Sequence, residues 1–383
     1  MVAHSTTDVD VAVVGGGPTG GLAALAAAQA GWRTALIAPD AGHDPRTSAL
    51  LMPAINGLAA FGIWEGLEEA CQPLATMRLI DATGRVPRAP EVTFDAHEIG
   101  LDQFGFNVPN DALNAALASA REGSITFINA PADTVLANTA PTVTAGDHTV
   151  TAKLLVAADG AHSLVREEAG LGVRRWQYDQ AAFVTTLSHE RPHGDTSTEF
   201  HTPAGPFTLV PLPGERSSLV WVGRPDDIAR ISKLDPGPLA RAIEAQAHNI
   251  LGRMAVDGPR GVIPMEGLIA KTLGKGHVVL VGEAGHRFPP IGAQGLNLGL
   301  RDVDVLHKLL GTAREKGHLD GVADAYGRTR KLDVVARTVG VDLLNRSLLS
   351  AAMPVSALRV LGVAAARNIP TVRRAMMQFG LGR

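Results

Sequence analysis

Residues 9–38 constrain the fold more than any other stretch of this 383-residue chain. Val9 to Val14 is a short apolar run with β-branched residues. Gly15-Gly16-Gly17-Pro18-Thr19-Gly20 follows, then Gly21 to Ala30, rich in Ala and Leu, then Gly31 and a second apolar run from Thr34 to Ala38. This order reads as strand, glycine turn, helix, C-terminal glycine and strand, the opening unit of an α/β fold. Gly15, Gly17 and Gly20 fit G-x-G-x-x-G in the strand-to-helix setting that gives the pattern meaning. There the glycines allow a tight bend, close approach of backbone to a pyrophosphate, and tight packing of helix on strand. A purely structural glycine loop is the plain alternative. The acid that usually ends the second strand and holds an adenosine ribose is missing, because Ala38 stands there and the nearest carboxylate, Asp40, lies beyond Pro39.

Three more segments carry chemistry. Gly282 to Gly299 follows an apolar strand, His277 to Val281, and passes Pro289, Pro290 and a glycine-rich turn into an amphipathic helix. Such a turn aims unpaired N–H groups and the positive end of a helix dipole at one point, which suits a ligand that becomes anionic. Leu154 to Ala158 delivers Asp159-Gly160 to a turn, with Ser163 and Arg166 at a helix start; an Asp-Gly turn capped by Ser163 is the bland reading. Asp44-Pro45-Arg46 precedes a helix expected to continue toward Leu58, and an isolated arginine there would ordinarily be a solvated charge.

Taken in order, these four segments resemble the single-component flavin aromatic monooxygenases built on the p-hydroxybenzoate hydroxylase fold. Thr198 to Pro213 and the C-terminal tail are most similar to the ubiquinone-biosynthesis hydroxylases. The resemblance implies an α/β protein with a Rossmann-like FAD-binding domain of discontinuous segments, an inserted β-sheet-plus-helix substrate domain and a helical C-terminus. The FAD-binding pieces would be 1–75, 100–175 and 276–335, the substrate domain 76–99 and 176–275, and a basic amphipathic tail 336–383. Alternation in 183–187, 207–210 and 218–222 supports strands in the second domain, bounded by Pro206, Pro211 and Pro213, with a helix near 237–251.

It also implies roles. Gly15, Gly17 and Gly20 would bind the FAD pyrophosphate, and Arg46 would contact FAD. Asp159 and Gly160 would lie near the pyrophosphate and the path of NAD(P)H. Glu283 would bind the ribitol or phosphate region in place of the usual Asp, and Asn110 stands where many members carry Arg. Pro289, Pro290 and Gly292 would wall flavin C4a, with Ala293, Gln294, Gly295, Leu296 and Asn297 completing the cofactor contact at the helix start. The implied activity is FAD-dependent, NAD(P)H- and O2-consuming hydroxylation of the aromatic ring of a polyprenylated phenol in ubiquinone biosynthesis, through a C4a-hydroperoxyflavin. His201, near Phe200 and Phe207, is the candidate base. A prenyl-chain reductase of the same superfamily and a flavin-binding scaffold of a quinone-biosynthesis complex are the alternatives. The Trp-x-Trp-x-Ile-Pro signature of flavin halogenases is absent.

Composition narrows partners. A net charge of −3 with 19% charged residues leaves no nucleic-acid footprint, and Cys71 is the single cysteine, so neither an internal disulfide nor a Cys/His metal site is expected. No Lys or Arg precedes Arg33 and a Gly-Pro turn interrupts the first apolar stretch, so no leader peptide is expected. A cytoplasmic protein follows. The tail from Ala336 carries seven arginines and one acid, Asp342, for a charge of +6, which leaves −9 on the rest. Basic residues interspersed with leucines read as a helix either packed on the FAD domain or docked on the inner face of a membrane or on a partner complex.

Overall fold

The first apolar run forms Val11–Val14, buried at every residue, as are Thr34–Ile37 and Leu154–Ala157. Strands without a polar face belong inside a parallel sheet covered on both sides. In the computed structural model, which describes residues 5–40, 42–86, 88–289, 294–349 and 353–382, they are the centre of a six-stranded sheet. Its order is Gly274–Lys275, Val278–Leu280, Leu154–Ala157, Val11–Val14, Thr34–Ile37 and Thr126–Ile128, the last five parallel. Helix Pro18–Gln29 is apolar around its whole circumference because the sheet covers one side while Asn110–Arg121 and Gln294–Lys316 cover the other.

A smaller sheet of Thr47–Leu51, Gly105–Pro109 and Gln72–Leu74 corrects one expectation. Arg46 is followed by a strand, not directly by a helix; the helix starts six residues after it as Met52–Ala60, with Pro53 in its first turn. A four-stranded sheet of Ser5–Asp8, His148–Thr151, Thr142–Ala145 and Thr134–Leu136 has no counterpart in the sequence reading.

The second large sheet has nine strands. Its path runs His286–Arg287, Gly261–Ala270, Val173–His189, Arg216–Gly223, Gly205–Leu212, Thr196–Thr202, Thr76–Asp81 and Val92–Asp95, with Met254–Val256 beside Val173–His189. Phe183, Phe200 and Phe207 leave one face and are buried against Ile228 of helix Pro225–Ser232 and Leu239 and Ile243 of Pro236–Gln246. Only the second of these helices was expected. Pro206 and Pro211 do not bound a strand but lie inside Gly205–Leu212, which has neighbours on both edges. Each is one residue from a strand end, where a missing ladder donor costs least.

Helix Val322–Leu349 runs straight through 335/336, so the tail is not a separate segment there. The ion pair Asp333–Arg337 at helical spacing spans that point, with Arg330–Asp333 before it and Asp342–Arg346 after it. Helices Met353–Asn368 and Pro370–Leu381 follow. Ala366, Met377 and Leu381 close over Val92, Phe94, Ala96 and Phe104, and Arg373 pairs with Glu98 at 2.7 Å. The end of the tail therefore packs on the edge of the nine-stranded sheet and also on helix Gln294–Lys316, where Arg301 Nη2 donates to Leu381 O at 2.6 Å. Among the described residues, no helix is long and apolar enough to cross a membrane.

Candidate active site

Each motif turn leaves the same edge of the parallel sheet: Gly15 after Val11–Val14, Ala158 after Leu154–Ala157, and Val281 after Val278–Leu280. The carboxyl edge of such a sheet is where diverging connections open a ligand crevice. The turns touch one another. Gly15 N–H donates to Ile37 O at 2.9 Å, Ala158 N–H to Val14 O at 2.8 Å, and Val281 N–H to Ala157 O at 2.9 Å. Gly15 has φ +110°, and a Cβ on it would strike the Ala158 carbonyl; a Cβ on Gly20 would strike the Gly15 carbonyl. Gly17 is different. Its φ is −66°, and no heavy atom stands within 4 Å of a Cβ built there, so the loop forms an open cradle that a side chain would fill.

Asp159, in the turn after Leu154–Ala157, has a peculiarity. Its Oδ2 accepts the Val165 N–H at 3.1 Å, but its Oδ1 is buried without a hydrogen-bond partner. A buried carboxylate oxygen left alone is costly, and a hydroxyl donor from a ligand would satisfy it. Next to it, Ser163 Oγ caps Arg166 N–H at 3.0 Å. The Arg166 side chain is wholly buried and joins two motif turns, donating Nη1 to Ala284 O at 2.8 Å and Nη2 to Ala161 O at 2.9 Å. Burial, with Arg175 nearby, moves its pKa downward. The sequence reading placed Arg166 only at a helix start; the clamp was missed.

Arg46 donates Nε and Nη2 to the two oxygens of Asp44, both at 2.7 Å. That pairing is the main reason the Asp44 carboxyl is brought down to about 2, against the effect of burial. Asn110, the first residue of its helix, donates Nδ2 to Asp44 at 2.9 Å and accepts from Ser48 Oγ at 2.8 Å. The residue that replaces an expected arginine thus supports the Asp44–Arg46 pair. Glu283 lies in the short turn Gly282–Ala284, largely exposed, 3.7 Å from Arg287. Asn297 is buried and bridges to the Arg46 strand: Oδ1 accepts Leu51 N–H and Nδ2 donates to Ala49 O, both at 2.8 Å. Pro289 is buried, Gly295 exposed and Leu296 half-buried; Pro290, Gly292 and Ala293 lie outside the described residues, as does the side chain of Gln294.

Gly16, Leu36, Asp40, His43, Asn114 and Arg121 line a cleft of about 280 Å³ beside the glycine loop. Asp40, the displaced acid, is held at its rim: its N–H donates to Asn129 Oδ1 at 2.9 Å, Asn129 Nδ2 donates back to Asp40 Oδ2 at 2.6 Å, and Arg121 stands 3.5 Å away. Asn129 was not singled out from the sequence, and its signal is only that it ends the strand after Ile128.

His201 is elsewhere, on Thr196–Thr202 of the nine-stranded sheet. Its Nε2 is 2.8 Å from Glu199 Oε1, and it borders a crevice of about 10 Å³ with Leu79, Pro90 and Val363. His189 and His193 are taken up by the backbone carbonyls of Arg191, Leu212 and Gly214. Among the described residues, no group of His, Cys, Asp and Glu could hold a metal ion.

The family described as "FAD binding domain" matches residues 8–339. Ubiquinone hydroxylase UbiL of Rhodospirillum rubrum is 33% identical, covering 97% of this chain and 89% of its own length. The 3-demethoxyubiquinol 3-hydroxylase of Escherichia coli is 30% identical over 97% of this chain and 98% of its own. Among solved structures, p-nitrophenol 4-monooxygenase PnpA from Pseudomonas putida has a TM-score of 0.80 at 19% identity over 98% of both chains, a likeness of fold. The open cradle at Gly17 and the unpartnered Asp159 oxygen fit a flavin dinucleotide.

Proposed function

From the premise that this chain belongs to the FAD-binding-domain family, we propose that it hydroxylates the aromatic ring of a polyprenylated phenol in ubiquinone biosynthesis, using NAD(P)H and O2. One observation carries the reading: three motif turns up to about 270 residues apart converge on the carboxyl edge of one parallel sheet, and Asn297 ties the strand after Arg46 to them. When bound, FAD supplies the electron transfer from NAD(P)H and the activation of O2 for insertion into an electron-rich ring.

The chain's part is holding and shielding. We assign FAD to the unit built from 1–75, 100–175 and 276–335, and the phenol to 76–99 and 176–275. Gly15, Gly17 and Gly20 would hold the pyrophosphate, with Asp159, Gly160 and Glu283 accepting hydroxyl donors and Arg46 supplying positive charge. Asp40, fixed by Asn129 and Arg121, would take the ribose contact that Ala38 cannot make. Pro289, Pro290, Gly292, Ala293, Gln294, Gly295, Leu296 and Asn297 would form the wall that keeps water from the reacting centre. For phenol activation, Glu199 at 2.8 Å would steady a charge on His201, whose Nδ1 would accept the phenol proton.

The polyprenyl chain of such a substrate lives in a bilayer. Leu332, Val335, Val339 and Leu343 form one exposed apolar line along Val322–Leu349, beside exposed Arg328 and Lys331. A face of this kind would rest on anionic lipid. Deleting the gene and analysing quinone precursors by mass tests the function. A precursor lacking one ring oxygen is expected to accumulate, and an unchanged quinone pool would sink the assignment.

A further inference from the structure

Beneath the turn that bears Glu283 lies a cluster of charged and polar groups that the chemistry above does not use. Asp302 has no exposed surface. Its Oδ2 accepts Gly282 N–H at 2.9 Å and His286 Nε2–H at 2.6 Å, and its Oδ1 accepts Arg330 Nε–H at 2.7 Å. Arg330 is anchored in turn on Asp333 at 2.6 Å, and the buried Tyr326 one turn earlier donates to Leu280 O at 3.0 Å. His286 stacks on Phe288 with ring centroids 6.0 Å apart, and buried Pro289 is the next residue. Gly282 and Gly299 both close on Thr19 of the glycine-loop helix, where a Cβ would come within 3.1 and 2.7 Å of Thr19 Oγ1.

One carboxylate therefore registers the turn 282–284, the strand 286–287 and helices 294–316 and 322–349. Burying charge in this way is poor stabilisation compared with an apolar core, whereas removing one partner is severe. Burial pushes Asp302 up, but His286 and Arg330 outweigh it and keep its pKa below the usual carboxylate value. His286 Nδ1 is buried without a partner, so the ring is oriented by Asp302 and by stacking alone.

We propose that Asp302, His286 and Arg330 are positioning residues that set the segment 282–289 against the flavin ring. The inference rests on the FAD reading above. The test uses the full chain with Asp302→Asn and His286→Gln; the glutamine keeps a donor toward Asp302 without the stacking ring. FAD dissociation constant, flavin spectrum, midpoint potential and hydrogen peroxide released per NAD(P)H oxidised are read beside melting temperature. Expected are an FAD dissociation constant raised about tenfold, several-fold more peroxide, and a positive shift of potential in Asp302→Asn, where Arg330 loses its buried counter-charge. Variants that melt earlier yet keep wild-type affinity, spectrum and potential would overturn the proposal and make the cluster structural only. If Asp302→Asn does not fold, His286→Gln, which keeps Asp302 and its pairing with Arg330, decides on the same readouts. Wild-type protein that takes up no FAD overturns the cofactor reading itself, an outcome separate from variants that match a flavin-loaded wild type.

Discussion

Among single residues, the glycine loop separates what packing requires from what a ligand requires. A Cβ at Gly20 meets the Gly15 carbonyl, whereas a Cβ at Gly17 meets nothing. Gly20→Ala should therefore cost about 1–3 kcal/mol of stability in the ligand-free protein. Gly17→Asn, which keeps a residue suited to the helix N-cap, should leave the ligand-free unfolding free energy from urea melts within about 0.5 kcal/mol of wild type while weakening FAD binding at least about tenfold, measured by quenching of flavin fluorescence. Equal losses at both positions would contradict the cradle. For His201, replacement by alanine should lower coupled phenol turnover, with peroxide release rising; full coupled turnover would dismiss the residue. Gly15, Gly17 and Gly20 were legible because their spacing is local. Arg166, Asp302 and Arg330 were not, because their partners are carbonyls and side chains that only the fold brings near. A buried arginine has no mark in sequence that a solvated one lacks.

At the level of elements, strands buried on both faces announced themselves as continuous apolar runs, and the helix after the glycine loop as an Ala-rich stretch. Thr47–Leu51 was hidden because its short apolar sequence runs without a break into Met52–Ala60, and its pairing with Gly105–Pro109 is set by residues more than 50 positions away. The starts of three parallel strands are tied by Asp10, which pairs with Arg33 at 3.2 Å and Lys153 at 2.9 Å. Burial opposes its charge, but these partners win and bring the carboxyl from 3.8 to about 2. A depressed carboxylate stabilises fully above its unfolded value and loses that contribution as pH falls through the folded one. The contribution is about 2 kcal/mol at neutral pH. Stability should therefore drop between pH 4 and 2, and Asp10→Asn should flatten that part of the curve in urea melts. An unchanged slope would show that other carboxylates govern acid unfolding.

For the whole molecule, the order of motifs revealed the flavin-binding architecture, but not how the chain's end closes on it. Basic and apolar residues alone could not tell a packed tail from a docked one, and the structure divides them. Met377 and Leu381 are buried, while Leu332 and Leu343 on the preceding long helix stay largely in solvent. Replacing both Leu332 and Leu343 with Glu should abolish sedimentation with vesicles containing anionic lipid, with little change in melting temperature or in FAD affinity. Vesicle binding that survives this double change would assign the membrane contact to another face, or to none.

The central parallel sheet has a consequence for how the protein is made. Val278–Leu280 completes it beside Leu154–Ala157, and Trp32 donates its indole N–H to Leu310 O, 278 positions later. A ribosome must release most of the polypeptide before these contacts can form, while the hairpins within 196–223 need only their own neighbours. Chains stopped short of residue 280 would emerge with an incomplete nucleotide pocket and an open β edge, a form that quality-control proteases and aggregation would remove.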